Sequence, residues 1–300
     1  MLLKARTIPL ELILLESLNT RMSLSEKDAS TFFNQKKGYK GECRFDQLFE
    51  PLVNKYHIIN DLLLDVNNSL VQIDSLFIAS DTIHLFEIKN FEGDFIYENN
   101  RWLTGNRTEI SNPLLQINRS ESLFRRLLHD LGFSFAINYH LIFVNPEFLL
   151  YHAPQHAAII FPAQINRVLD RMSVQTGKLS DKLAKQLVSL HVNENPYRRL
   201  PKYSFDELAK GLCCMNCGSI VTSLKHRNIL CNSCNIEESV DHTILRTINE
   251  FSTLFPNEKI TTRAINAWCD NQVSIKTIQR VLAKNYTYIG HGKSSNYVIK

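Results

Sequence analysis

The sequence predicts an α/β protein, a mixed sheet flanked by helices, followed by two small modules. Three observations carry this. Between residues 8 and 191 the apolar pattern passes from helical spacing to short β-branched runs and back. Two Cys-x-x-Cys pairs crowd between Cys214 and Cys234. The last stretch, 242–300, has helical apolar periodicity and closes on two short strands. The chain of 300 residues is long enough for two or three domains. We expect a helical lead-in over 1–37, an α/β domain over 38–195, a linker over 196–210, a cysteine module over 211–237 and a C-terminal module over 241–300.

Ile8, Leu12, Leu15 and Leu18 recur at helical spacing. A second helical stretch from Ser25 through Lys37 leads into Gly38-Tyr39-Lys40-Gly41-Glu42, beyond which Phe45, Leu48, Phe49 and Leu52 form a further stripe. His57–Leu64, Val71–Ala79, Thr82–Lys89, Asp94–Tyr97 and Arg101–Leu103 then read as strands separated by turn residues. A helix over Pro113–Leu131 is expected from Asn112 as cap and proline at the first position. Ile137–Val144 and Ala157–Phe161 read as buried strands, and helices over 163–173 and 178–191 close the domain. Asn195-Pro196 and Pro201 mark the linker.

Net charge is +4, but it is unevenly placed. Residues 242–300 hold eight Lys/Arg against three acids, which is +5 for that segment and leaves −1 for all that precedes it. A basic terminal module suits a nucleic-acid binder; a solvated basic surface is the competing reading. The best early apolar run, Ile8 to Leu18, is interrupted by Pro9, Glu11 and Glu16 and is too short for a membrane span. Paired Cys-x-x-Cys spacing without an export signal points to metal binding in a reducing compartment, so a cytoplasmic location is expected.

The most informative stretch is Val71 to Lys89. With Ser80-Asp81 as a tight turn, Asp74 lies opposite Glu87 and Gln72 opposite Lys89, all four on one face. Directly opposed residues have Cβ atoms about 5 Å apart, where like charges repel. A hard divalent cation such as Mg²⁺ accounts for two carboxylates at that separation, and an ammonium beside them can orient water and offset charge on a phosphate. A surface salt-bridge cluster is the alternative.

Gly41-Glu42, Gln72-Ile73-Asp74, Glu87-Ile88-Lys89-Asn90, then Gly93, Trp102, Asn112-Pro113-Leu114 and Gln116 together resemble the nuclease-related domain, NERD, of the PD-(D/E)XK nuclease superfamily. The resemblance covers residues 8–150 and implies a restriction-endonuclease-like fold. It implies Asp74 and Glu87 as carboxylate ligands of Mg²⁺ or Mn²⁺, the Ile88 carbonyl as a further ligand, Glu42 as an additional carboxylate, Lys89 as the catalytic lysine and Gln116 as a downstream helix glutamine. There is one formal departure, Ile73 in place of the proline before the aspartate, and the match at Gln116 is looser, since Ser120 and not a tyrosine stands four residues on.

Cys214, Cys217, Cys231 and Cys234 have the spacing of a zinc ribbon, in which four thiolates close a structural tetrahedral Zn²⁺ site. Gly218 and Asn235 suit the left-handed turn after each knuckle, and Cys213 is an alternative ligand. Three helices and a hairpin over 242–300 have the outline of a winged helix-turn-helix. Its third helix, capped by Ser274 and bearing Ile275, Ile278, Val281 and Leu282 inward, would present Lys276, Thr277, Gln279, Arg280 and Lys284 to DNA, with Lys293 at the wing tip. The expected function is a Mg²⁺-dependent DNA nuclease. The alternative is a non-catalytic DNA-binding protein that uses the nuclease fold as a platform.

Overall fold

The computed structural model describes residues 1–156, 158–172, 177–193, 195–196, 199–220, 222–291 and 295–299. Lys293, Ala157 and residue 173, each included in an expectation above, lie outside the described residues. The chain begins with β1 (Leu2–Lys4), α1 (Leu10–Arg21) and α2 (Glu26–Leu48). Next come β2 (His57–Val66), β3 (Ser69–Ile78), β4 (Thr82–Lys89), β5 (Gly93–Glu98), β6 (Arg101–Thr104) and β7 (Glu109–Ile110). Then follow α3 (Pro113–Asp130), β8 (Ala136–Phe143), β9 (Phe148–Tyr151), β10 (Ile159–Ile160), α4 (Ile165–Arg171) and α5 (Lys178–Ser189). The remainder holds β11 (Thr222–Lys225), β12 (Asn228–Cys231), β13 (Glu237–Ser239), α6 (Val240–Leu254), α7 (Thr262–Trp268), α8 (Ile275–Asn285), β14 (Tyr286–Ile289) and β15 (Asn296–Ile299).

Two compact units result: Met1–Ile8 with Phe33–Arg198, and Pro9–Phe32 with Arg199–Lys300. In the first unit a six-stranded sheet runs β1-β2-β3-β4-β8-β10. Its β2–β3–β4 meander is antiparallel, while β4–β8 and β8–β10 pair in parallel, so the sheet is mixed. Alternation along β3 and β4 divides the apolar side chains between two faces. Leu76, Ile78, Ile83 and Leu85 pack with Phe124, Leu127 and Leu128 of α3 and Leu183 and Leu187 of α5. Phe77, Ala79, Phe86 and Ile88 pack with Phe45 and Phe49 of the first helical layer and Ile165 of α4. A second, four-stranded sheet, β7-β6-β5-β9, has Phe95, Trp102 and Phe148 in its core. The sequence-derived expectation of a mixed sheet flanked by helices is met.

The β3–β4 hairpin turns at Ser80-Asp81, where the Ala79 amide donates to the Thr82 carbonyl at 2.8 Å. Pairing proceeds one to one from Ile78↔Ile83 to Ser75↔Phe86, without a bulge. Helix α3 begins as its sequence dictates, with the Asn112 side chain accepting from the Leu114 amide and Pro113 at the first position.

Helix α2 differs from the sequence expectation of two stretches separated at Gly38–Glu42. It is one helix of 23 residues, capped by Ser25, whose Oγ accepts from the Asp28 amide at 3.2 Å. Two glycines weaken a helix locally, but Gly41 is required by packing: a Cβ there would lie 2.3 Å from Cβ of Asn90.

In the second unit Leu14 and Leu18 of α1 join Ile244, Ile248 and Phe251 of α6, Trp268 of α7, and Ile278 and Leu282 of α8 in one core. The stretch expected as a single lead-in over 1–37 is therefore shared between the units. Ser239, Thr261 and Ser274 cap α6, α7 and α8, each accepting a backbone N–H. Asp270 and Asn271 form a turn between α7 and α8 in left-handed conformation, with φ of 54° and 57°. Ile275, expected on the inward stripe, is 54% exposed because it sits in the first turn of α8, ahead of the buried positions. Strands β14 and β15 form the expected antiparallel hairpin. Among the described residues, no helix is long and apolar enough to cross a membrane.

One buried ion pair ties α1 into this unit. The Arg21 guanidinium donates to Glu250 at 2.8 and 2.5 Å, and to the carbonyls of Ala209 and Gly211. It also lies 4.1 Å from the centre of the Trp268 ring. Removing one member of a buried pair leaves the other uncompensated, at about 3–5 kcal/mol. Arg21→Met should lower stability by that amount in denaturant titration of the full chain; a loss below about 1 kcal/mol, the worth of a surface pair, would show that the pair is not structural.

Candidate active site and thiol cluster

Asp74 occupies a gap in the ladder. Pairing of β3 with β2 steps from Asn60↔Ser75 to Leu62↔Ile73, and pairing with β4 ends at Ser75↔Phe86. Asp61, the residue skipped on β2, has φ of 52°. The orphaned groups find other partners. The Asp74 carbonyl accepts from the Arg6 guanidinium at 2.9 Å, and its carboxylate accepts from the Ile88 amide at 2.7 Å. That second bond holds the Asp74 side chain against the strand that carries Glu87 and Lys89.

Glu87 is buried, and its carboxylate accepts from the Lys89 ammonium at 2.7 Å. Lys89 donates also to Oε1 of Gln116 on α3, at 3.2 Å. Glu87, Lys89 and Gln116 are thus joined by hydrogen bonds, and the bond from Ile88 holds Asp74 beside them, although Asp74 is not paired directly opposite Glu87 as the sequence suggests. Gln72, expected on that face opposite Lys89, is exposed and instead donates to the Asp61 carboxylate at 3.0 Å, because the β3–β4 ladder stops short of it.

Glu42 reaches the group from α2. Arg6, whose side chain is 3% exposed, donates to Glu42 at 2.7 Å and through two N–H groups to Asp46 at 3.0 and 3.1 Å. Arg6 and Asp46 were not anticipated. Glu42 and Asp46, one helical turn apart, are an acidic pair visible in the sequence; nothing local marks Arg6 as their partner. Four carboxyl groups therefore gather around two cations, Arg6 and Lys89. Burial, then the Glu87 charge, pushes Asp74 up to about 7, against the Ile88 amide, Lys89 and Arg6. Burial, then the Asp74 charge, pushes Glu42 up to about 7 as well. Hard oxygen donors of this kind could hold a divalent cation, but among the described residues no three of these carboxyl groups bring their ligand atoms within 4.8 Å of one another. Glu42 leans on Arg6 and Glu87 on Lys89, so the carboxylates are drawn toward their own cations.

The four cysteines are assembled more tightly. Among the described residues, theirs is the one group of three or more His, Cys, Asp or Glu whose ligand atoms all lie within 4.8 Å of one another. Cys214 and Cys234 are 3.6 Å apart at sulfur, Cys217 and Cys231 3.5 Å. The two Cys-x-x-Cys turns repeat one design. Gly218 and Asn235 have φ of 72° and 58°, and the Asn216 and Ser233 amides point to the Cys214 and Cys231 sulfurs at 3.4 Å. Burial opposes ionisation of Cys231, but backbone donors at Cys234 and Ser233 outweigh it and hold the thiol down to about 6. The group can hold a zinc ion. Cys213, the alternative ligand, stands outside it, and burial pushes its thiol up to about 11.

On α8, Lys276, Gln279, Arg280 and Lys284 are exposed and Thr277 is half-buried. Arg280 is engaged: its guanidinium donates to both oxygens of Asp241 at 2.8 and 2.5 Å. Arg280 and Thr277 line a cavity of about 620 Å³ together with His226, Arg227 and Ser274.

No curated protein and no solved structure matched the chain. Residues 37–144 match the family model of the nuclease-related domain, NERD, and that span contains Glu42, Asp74, Glu87, Ile88, Lys89 and Gln116.

Proposed function

We propose that this chain is a Mg²⁺-dependent DNA nuclease of the PD-(D/E)XK type, with a restriction-endonuclease-like catalytic domain, a zinc ribbon and a C-terminal winged helix that holds DNA. The observation that carries the reading is the bond from the Ile88 amide to the Asp74 carboxylate, which ties the two acid-bearing strands together beside Lys89. Asp74, Glu87, the Ile88 carbonyl and Glu42 would hold the metal. When bound, that metal supplies Lewis-acid polarisation of the scissile phosphate and of an attacking water. Lys89, steadied by Gln116, aims its ammonium at the nucleophile and offsets charge that builds on the phosphate. Arg6 keeps Glu42 in place while Asp46 shares its charge.

The four thiols fit a closed structural zinc site, with no position left for substrate. Helices α6 to α8 with the β14–β15 hairpin would form a winged helix whose α8 meets the duplex, and the exposed Lys276, Gln279 and Lys284 would make that contact. The net +5 of residues 242–300 supports DNA as the partner.

Purified protein should cut DNA with Mg²⁺ present. Lys89→Ala should reduce the rate at least about 100-fold, the loss that follows removal of one preorganised charge-stabilising group, while gel-shift affinity for duplex DNA stays unchanged. Cutting by Lys89→Ala at the wild-type rate would overturn the assignment.

A further inference from the structure

We infer that the groove beside α2, at the carboxyl end of β4, grips a single strand of DNA at the cut site, with Phe33 stacking on one unpaired base and Lys36, Lys37 and Lys40 holding its phosphates. The inference rests on the nuclease reading for the identity of its ligand, and on separate residues for its site.

Positions 33, 36, 37 and 40 fall on one stripe of α2, at i, i+3, i+4 and i+7. They line a cavity of about 270 Å³ whose other wall includes Asn90 and Asn145. Asn90 follows the last residue of β4, and Asn145 lies two residues beyond the end of its parallel neighbour β8, at the end of an open α/β sheet where ligands are received. The groove starts one residue beyond Lys89, about 3.8 Å along the backbone. It is rigid where it meets the candidate active site. The Asn90 side-chain Nδ2 donates to the Lys37 carbonyl at 2.8 Å, and Gly41 lets the helix close on Asn90 with no space for a Cβ.

The lining names the ligand. Three lysines face one acid, Glu92, which pairs with Lys37 at 3.0 Å on the exposed rim. An exposed pair of that kind is worth little, so a phosphate can replace the glutamate at small cost. Phe33 is 65% exposed, a large aromatic ring held in water among cations. A ring face offered beside lysines is a stacking platform for a base, and only an unpaired base presents its own face. The cavity, just below the roughly 300 Å³ at which small-ligand sites begin, has room for a nucleotide unit and not for a duplex. A strand lying here would pass directly from the lysine stripe to Lys89.

The test uses the full chain with Phe33→Trp, in magnesium-free buffer so that nothing is cut. Both native tryptophans, Trp102 and Trp268, are fully buried, so an indole at position 33 is the one that solvent and ligand reach. Oligothymidylate should quench its emission saturably. Adding Lys36→Gln, Lys37→Gln and Lys40→Gln, which preserve helix propensity, should raise the midpoint at least tenfold. The same change should lower the slope of log affinity against log salt by about 2, from roughly 0.7 for each lost phosphate contact. Absence of quenching, or quenching whose midpoint ignores the three lysines, overturns the groove. The two readings separate cleanly. Quenching by a chain that never cuts supports the groove while removing the nuclease; cutting by a chain that never quenches removes the groove alone.

Discussion

Asp74→Asn should abolish metal-dependent cleavage and, at the same time, make the magnesium-free protein more stable. Asn keeps an oxygen that can accept from the Ile88 amide, so the bond joining β3 to β4 survives. The change also removes a carboxylate charge that Glu87 opposes. The sign of the pH dependence follows from the direction of the shift. A carboxyl raised to about 7 in the folded chain, against about 3.9 when unfolded, costs stability once pH exceeds the unfolded value, and the cost reaches its full size above the folded one. The gain from asparagine should therefore be absent near pH 4, grow toward pH 7 and stay flat above it, at roughly 1–3 kcal/mol at pH 8 after allowing for the offsetting pull of Lys89 and Arg6. Saturating Mg²⁺ should reverse the order. At about 100 times its dissociation constant a ligand adds roughly 2.7 kcal/mol, and the variant, short of one ligand oxygen charge, should gain much less. Thermal denaturation of both proteins with and without Mg²⁺ measures all of this. A variant that is less stable than wild type at pH 8 without magnesium would mean that Asp74 is a structural member of a satisfied ion network, with no cation to serve.

That prediction depends on a register that local sequence already encodes. A two-residue turn fixes one-to-one pairing as far as Ser75↔Phe86, which brings Asp74 and Glu87 into one neighbourhood; counting does not show that the ladder ends there, so that Asp74 is not the direct partner of Glu87. The Asn112 cap of α3 and the left-handed residues after each Cys-x-x-Cys turn are equally local, set by side-chain oxygens and by the residues that tolerate positive φ. Other features are not local. Arg6 lies 68 residues from the carbonyl it reaches at Asp74, and no periodicity couples the two. The continuity of α2 through Gly38 and Gly41 runs against propensity and is decided by the close approach to Asn90. The same holds for α1, whose apolar stripe announces a helix without saying which core receives it; Leu14 and Leu18 answer that only through packing with α6, α7 and α8. What could be read, then, was chemistry held within a hairpin or a single turn. What could not was the supporting frame of charge and packing brought from distant segments.

Removing zinc should unfold the cysteine-bearing sheet while leaving the helical core of its unit folded. The β11-β12-β13 sheet is made of strands of four, four and three residues. Of its aliphatic side chains and those of the adjoining turn, Ile229 is buried, whereas Leu224 and Ile236 are 53% and 42% exposed. Burial on that scale cannot offset the entropy of ordering some twenty residues at about 1–2 kcal/mol each. Four sulfurs within 4.8 Å make matters worse when no cation is present, since any thiolate there meets its neighbours' charge. A closed four-thiolate zinc site contributes roughly 10–16 kcal/mol in isolated peptides, enough to reverse the balance. The core around Ile244, Phe251, Trp268 and Leu282 has its own burial and helix caps, so it does not need the metal. The protein should therefore release one zinc ion per chain on treatment with a thiol reagent. Cys231→Ser should lose hydrogen-exchange protection over Thr222–Ser239, with α6 and α8 still protected. In the proposed function, the carboxylate oxygens of Asp74 and Glu87 would select a harder ion. Cutting of short duplexes should accordingly survive the loss of zinc once Mg²⁺ is supplied, with any defect appearing in KM. Full protection of β11–β13 in a zinc-free chain would show instead that the four cysteines are brought together by the fold itself and that the metal is incidental to it.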